Sequence, residues 1–136
     1  MANRRQTEAW RDRTSRYKAK HPLGQKFASM KCTAKKRKVE FAMTRTTFEK
    51  WWNETLANCE YCGIPEKYIP LAFPGAPKHL LNLSVDRRDN QYGYGVGNLV
   101  KACCFCNAAK GAVFTFEEAK KIGSVIQEIL IARVHG

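Results

Sequence analysis

Apolar residues return at three- and four-residue intervals through Leu23, Phe27, Met30 and Ala34, which predicts a helix from about Leu23 to Lys36. Pro22 and Gly24 punctuate its start. Val39-Glu40-Phe41 reads as a short extended piece. Thr46, with Glu49 three residues later, reads as a capping box. It opens a second helix whose apolar face is Phe48, Trp51, Trp52 and Leu56, ending by Asn58. Prolines at 65, 70, 74 and 77, with Gly75 among them, predict a long loop over residues 63–80. Leu81, Leu83 and Val85 then alternate with Asn82, Ser84 and Asp86, the period of a strand. Residues 89–97 are turn-rich, and Leu99 to Ala102 form a second strand. A helical turn begins at Cys106 and reaches about Gly111. Thr115 and Glu118 make a second capping box. The helix they open carries an apolar stripe of Ala119, Ile122, Val125, Ile126, Ile129 and Leu130, expected to pack on a core. No internal repeat interrupts this order.

Length adds one constraint. A chain of 136 residues fits one domain with an appended arm, and a structural metal would help a core of this size. Charge adds more. The formal net charge is +12, and residues 1–38 hold 13 Lys+Arg against 2 Asp+Glu. The excess is concentrated in the first quarter, which divides the chain into a basic arm (1–38) and a domain (39–136). Concentrated positive charge favours a polyanion through counterion release. Arg11, Arg13 and Arg16 can form one helix face against a phosphate backbone, and Lys35, Lys36, Arg37 and Lys38 offer a second cluster. A solvated, solubilising arm is the plainer reading. No apolar run of about 18 residues exists to span a membrane. The first 20 residues lack an apolar segment and contain Glu8 and Asp12, unlike a secretory signal. The expected setting is therefore intracellular, a bacterial or phage-infected cytoplasm, with an organelle left open.

In a reducing compartment six cysteines point to metal rather than disulfides. Cys59-x-x-Cys62 and Cys103-x-x-Cys106 each let two sulfurs face one ion. Together they supply the four soft thiolates that tetrahedral zinc takes in a closed, structural site. An iron–sulfur cluster uses the same ligand count. Cys32 and Cys104 fall outside the pattern and read as small buried hydrophobes.

The residues between the knuckles carry a resemblance. Leu83-Ser84-Val85-Asp86-Arg87-Arg88-Asp89-Asn90, then Gly93-Tyr94, then Gly97-Asn98-Leu99-Val100, then Cys103-x-x-Cys106-Asn107-x-x-Lys110-Gly111 resembles the core of the HNH endonucleases. The closer likeness is to a phage and bacterial branch with Asp-Arg-x-Asp-Asn followed by Gly-Tyr. It covers roughly residues 25–120. It implies an α+β fold: a small zinc-stapled ββα-metal core with flanking helices and a basic N-terminal arm. It implies Asp86 and Asn107 as ligands of a catalytic magnesium or manganese, and Asn98 as the Asn that orients the base through a backbone contact. Hard oxygen donors suit those ions.

One departure matters. The family's base is the His directly after the metal-binding Asp, and here that residue is Arg87. An arginine can clamp a phosphate but cannot activate water at neutral pH. Asp89 and His79 are the nearest substitutes, with Tyr92 and Tyr94 further off. Taken singly, the residues have plainer uses. Asp86 can pair with Arg87 or Arg88, Asn98 can be a turn residue, and Asn107 can cap a helix. Arg88 and Lys110 join the candidate phosphate contacts. The expectation is a metal-dependent endonuclease that nicks DNA, rather than one that acts on RNA. The alternative is a cleavage-inactive relative that binds nucleic acid, such as a ribonucleoprotein component.

Overall fold

The structure, a computed structural model, describes residues 20–135. Helix α1 runs Pro22–Arg37, with proline in the first turn, where a missing N–H costs nothing. It ends on Lys38 in the left-handed conformation (φ 57°), with Lys35, Lys36 and Arg37 in its last turn. Helix α2 runs Arg45–Glu54.

Its cap differs from the expected Thr46–Glu49 box. Thr44 accepts from the Thr47 amide, and the Thr47 hydroxyl answers at the Thr44 amide. The same Thr-x-x pattern occurs two residues earlier, and Glu49 instead pairs with Arg45 at 2.9 Å. Leu56 therefore lies past the helix end and is exposed.

Residues 63–80 are not plain loop. A 3-10 turn (Glu66–Tyr68), a short helix α3 (Ile69–Ala72) and a second 3-10 turn (Lys78–Leu80) bury Ile69 and Ala72. Strand β1 is Ser84–Arg87, shorter than the alternation from Leu81 suggested. It pairs antiparallel with β2, Leu99–Ala102, with Ser84 opposite Ala102 and Asp86 opposite Val100. Helix α4 is Cys104–Lys110 and helix α5 is Phe116–His135. The Thr115–Glu118 box holds as read: the Thr115 amide donates to Glu118 Oε1 at 2.9 Å, and the Glu118 amide to Thr115 Oγ1 at 3.2 Å.

The hairpin separates two cores. On one side Val100 and Ala102 join the knuckle cysteines, Tyr61, Ile64, Ile69, Leu83, Phe116, Ala119 and Leu130. On the other, Leu99 joins Met30, Ala34, Phe48 and Tyr94, with Phe27, Phe41 and Trp51 packed around them. Helix α1 contributes to this second core: Phe27 meets Phe41 edge-on at 5.2 Å. Strand geometry sets the division, since successive side chains of β1 and β2 point to opposite faces.

The extended piece at 39–41 lies against Gly93-Tyr94. The Tyr94 amide donates to the Glu40 carbonyl at 2.8 Å, and the Ala42 amide to the Tyr94 carbonyl at 2.7 Å. A Cβ on Gly93 would sit 2.2 Å from the Glu40 carbonyl oxygen, so only glycine fits there. Gly123 serves α5 in the same way, its Cα passing over the Tyr61 carbonyl of the first knuckle.

The apolar stripe of α5 is only partly covered. Ala119 and Leu130 are buried and Ile126 packs on the core, but Val125 and Ile129 are exposed. The neighbours α4 and α3 cover one side of the helix and leave the other to solvent. Cys32, expected inside, is exposed on α1, and Cys104 is half-buried with its thiol toward the Leu80 carbonyl at 3.6 Å. No helix among the described residues is long and apolar enough to cross a membrane.

Candidate active site

The two Cys-x-x-Cys pairs, 41 residues apart in sequence at their nearest members, converge. All four sulfurs lie within 4.8 Å of one another, and all four residues are buried. Cys62 Sγ and Cys103 Sγ are 3.8 Å apart. A zinc–sulfur length of about 2.3 Å gives a tetrahedral edge of about 3.8 Å, so the cluster fits zinc. Within each pair the second amide points at the first sulfur, Cys62 to Cys59 at 3.5 Å and Cys106 to Cys103 at 3.4 Å. Cys103 is also the N-cap of α4, so the same turn that starts the helix aims its sulfur. Four buried thiols this close share hydrogen bonds, which draw Cys59 down from its ordinary value. A divalent cation bound by the four would favour all of them as thiolates.

The second feature is a groove of about 580 Å³ along the unpaired edge of β1. Asp86 and Asn107 both line it, with Ser84 and Tyr94, and Lys26, Thr33 and Arg37 of α1 form its far wall. The edge itself is held open. Lys26 Nζ donates to the Leu83 carbonyl at 2.8 Å, and Glu66 Oε2 accepts from the Leu83 amide at 2.8 Å. These two side chains satisfy backbone groups that a neighbouring strand would otherwise take. Burial lowers the Lys26 pKa, offset in part by Glu66.

Ser84 and Asp86 share the face of β1 that meets α4. Asn107 Nδ2 donates to Ser84 Oγ at 3.0 Å, and Ser84 Oγ donates to the Ala102 carbonyl at 3.0 Å. With its nitrogen used there, the amide oxygen of Asn107 has no partner among the described residues. Asp86 is held through one oxygen. Oδ2 accepts from the Tyr61 hydroxyl at 2.5 Å and lies 3.0 Å from Lys110 Nζ. Tyr61 keeps its proton: burial, then the Asp86 hydrogen bond, raise its pKa well above the ordinary phenol value.

No family model matches the chain. An uncharacterized protein of Acanthamoeba polyphaga mimivirus is 33% identical over 88 residues, which are 65% of this chain and 14% of that protein. The chain thus spans a small part of the length of the relative it matches. Among solved structures, the rare-cutting HNH restriction endonuclease PacI superposes with a TM-score of 0.71 at 28% identity, covering 82% of this chain and 80% of the other. The chain has the HNH endonuclease fold.

Within that HNH frame the motif residues separate. Asp86 and Asn107 come to one groove, and Asn107, the fourth residue of α4, is not its cap; Cys103 is. Asp86 pairs with neither Arg87 nor Arg88; its ionic partner is Lys110. Arg87 also lines the groove, but its guanidinium is tied to the turn that follows β1. It is 9% exposed, and its Nη1 donates to the Asn90 and Tyr92 carbonyls at 3.2 and 2.9 Å, with the guanidinium over the Tyr94 ring. Asn98 acts on backbone: Nδ2 donates to the Asp89 and Gly93 carbonyls at 3.0 Å each, and Oδ1 accepts from the Asp89 amide at 2.9 Å.

Neither substitute base reaches the groove. Asp89 is exposed and its Oδ1 accepts from the Gln91 amide at 2.9 Å, and His79 is exposed in the turn Lys78–Leu80. Lys110 corrects an expectation. It is 1% exposed, donating to the Arg87 carbonyl at 2.6 Å and Asn90 Oδ1 at 3.1 Å, so it holds the hairpin instead of meeting a phosphate. Arg88 is exposed but lies over the Phe116 ring, 4.1 Å from its centre and away from the groove. Lys35, Lys36, Arg37 and Lys38 are exposed together at the end of α1, with Arg37 at the groove. Arg11, Arg13 and Arg16 lie outside the described residues. Sequence reasoning passed over Tyr61, Lys26 and Ser84. The one local signal for Tyr61 was its place inside a knuckle, which fixes its backbone.

Proposed function

We propose that this chain is a divalent-metal-dependent endonuclease that hydrolyses phosphodiesters of DNA, nicking one strand per site. The observation that carries the reading is the convergence of Asp86 and Asn107 on one groove with a basic wall. In this reading the four cysteines hold a structural zinc that fixes the ends of the hairpin and α4. Asp86 and the Asn107 amide oxygen hold magnesium or manganese, for which a carboxylate and an amide are suitable hard donors. Bound there, the cation supplies positive charge to the transition state and the leaving oxygen. Lys26 and Arg37 bind and orient the flanking phosphates, and the Lys35–Lys38 cluster adds affinity without reading sequence. PacI is a restriction endonuclease that perturbs DNA, which favours DNA over RNA as the substrate. Free thiols fit a reducing, intracellular setting.

A second reading has one observation in its favour. Arg87 stands where the family keeps its base and is committed to backbone carbonyls, and no histidine lines the groove. A nucleic-acid binder that has lost cleavage would look the same. Incubating zinc-loaded protein with supercoiled plasmid and magnesium or manganese separates the two. The nuclease reading expects nicked circles, and a loss of at least about a hundredfold in rate for Asp86→Ala. Plasmid left intact across a broad pH range, but still retarded on a gel, transfers the assignment to the binder.

A further inference from the structure

We infer that Tyr61 is a positioning residue: its hydroxyl couples the zinc knuckle to the candidate metal ligand Asp86, setting which carboxylate oxygen faces the groove. The inference rests on the metal-site part of the nuclease reading. Tyr61 occupies the second x of Cys59-x-x-Cys62, so it lies between two zinc-ligand candidates, next to Cys62 and two residues after Cys59. It is 5% exposed, and its ring packs on Phe116 with centroids 5.7 Å apart. Its carbonyl is covered by α5 at Gly123, where a Cβ would come within 2.4 Å. The knuckle thus fixes the backbone of Tyr61, while α5 pins both its ring and its carbonyl.

From that fixed seat the hydroxyl reaches 25 residues along the chain to Asp86 Oδ2. Lys110 Nζ converges on the same oxygen, itself anchored on the Arg87 carbonyl. Among the described residues no hydrogen bond or ion pair uses Asp86 Oδ1. One oxygen of the carboxylate is therefore gripped from two sides, and the other is left for the groove that Asp86 lines. A carboxylate fixed in this way offers a cation one preoriented donor, so less ordering is needed when the cation binds. Lys110 alone does not fix the plane of the carboxylate; a second donor from a different direction does. The knuckle therefore does more than brace the fold. Its folding about a metal places the phenol that aims Asp86.

The test is Tyr61→Phe, which keeps the ring and its contact with Phe116 and removes only the hydroxyl. On zinc-loaded protein, bound zinc and melting temperature report the frame, and Mn²⁺ titration followed by electron paramagnetic resonance reports the groove. The expected result is unchanged zinc content, a melting temperature within a few degrees of wild type, and Mn²⁺ affinity weakened about tenfold. Mn²⁺ affinity unaltered in the variant overturns the inference. So does loss of zinc, which would assign the hydroxyl to the frame instead. The nuclease reading fails separately: wild-type protein that binds Mn²⁺ but leaves plasmid uncut ends that reading, while the affinity difference between wild type and Tyr61→Phe still decides the role of Tyr61. Wild-type protein that binds no Mn²⁺ at all ends both.

Discussion

Asp86 and Arg87 are adjacent in a four-residue strand, yet they serve different regions. Asp86 faces the knuckle side, where Tyr61 and Lys110 hold one of its oxygens and the groove meets it. Arg87 faces the aromatic side, where it ties the carbonyls of Asn90 and Tyr92 beneath Tyr94. The pleat of the strand makes this division, and a shift of one residue in register would exchange the two roles. Arg87 borders the groove beside Asp86, but its donors are spent on backbone carbonyls. That face of the strand is part of a core, and the residue there is used to hold the turn that follows. Asp86 and Asn107 face the groove with an oxygen each.

The largest expected effect breaks the comparison by removing its anchor. Chelating zinc from the purified protein should unfold the knuckle side, because structural zinc contributes about 10 kcal/mol or more to folds of this size. Circular dichroism before and after complete removal, with zinc measured in parallel, checks it; an unchanged spectrum would contradict the cluster's structural role. A smaller effect sharpens the comparison on the other face. Arg87→Ala removes the donor of the Asn90 carbonyl and leaves the Tyr92 carbonyl only its longer bond from Asn98 Nδ2, and should cost about 1–2 kcal/mol of stability. It should leave Mn²⁺ affinity at the groove near wild type, a pair of outcomes that denaturant melts and metal titration read separately. Equal loss of both would show that Arg87 also holds the candidate metal ligands in place. The smallest effect lies outside both faces. Thr115→Ala removes the α5 cap, costing about 1 kcal/mol, and should shift the denaturation midpoint with no change in metal binding. Glu118 completes that box, and its pKa is lowered first by its bond to the Thr115 amide. A depressed carboxylate contributes stability above its unfolded pKa and loses it as pH falls, so the cap should weaken only in acid.

Much of this was legible where the signal is local. The two cysteine pairs announce a shared ion through spacing alone, and the Thr115–Glu118 box and the strand Leu99–Ala102 fall where their patterns put them. Asp86 and Asn107 were legible through family spacing, which registers a juxtaposition that periodicity does not. What escaped depends on distant packing. Lys110 looks like a surface cation in sequence, but α4 lays it under the hairpin, where three oxygens receive its ammonium. Tyr61 meets Asp86 only because the chain between the knuckles folds back. The prolines of residues 63–80 hid α3, since proline is tolerated in the first turn of a helix and Pro70 sits there. Val125 and Ile129 carry the period of a buried stripe, but the helices beside α5 are too few to cover them.

The most direct test of the groove assignment is the binding of Mn²⁺ to zinc-loaded wild-type protein and to Asp86→Ala, measured by calorimetry under identical conditions. One Mn²⁺ per chain is expected in wild type, lost in the variant, with zinc content and melting temperature preserved. Equal Mn²⁺ binding by the two proteins would contradict it.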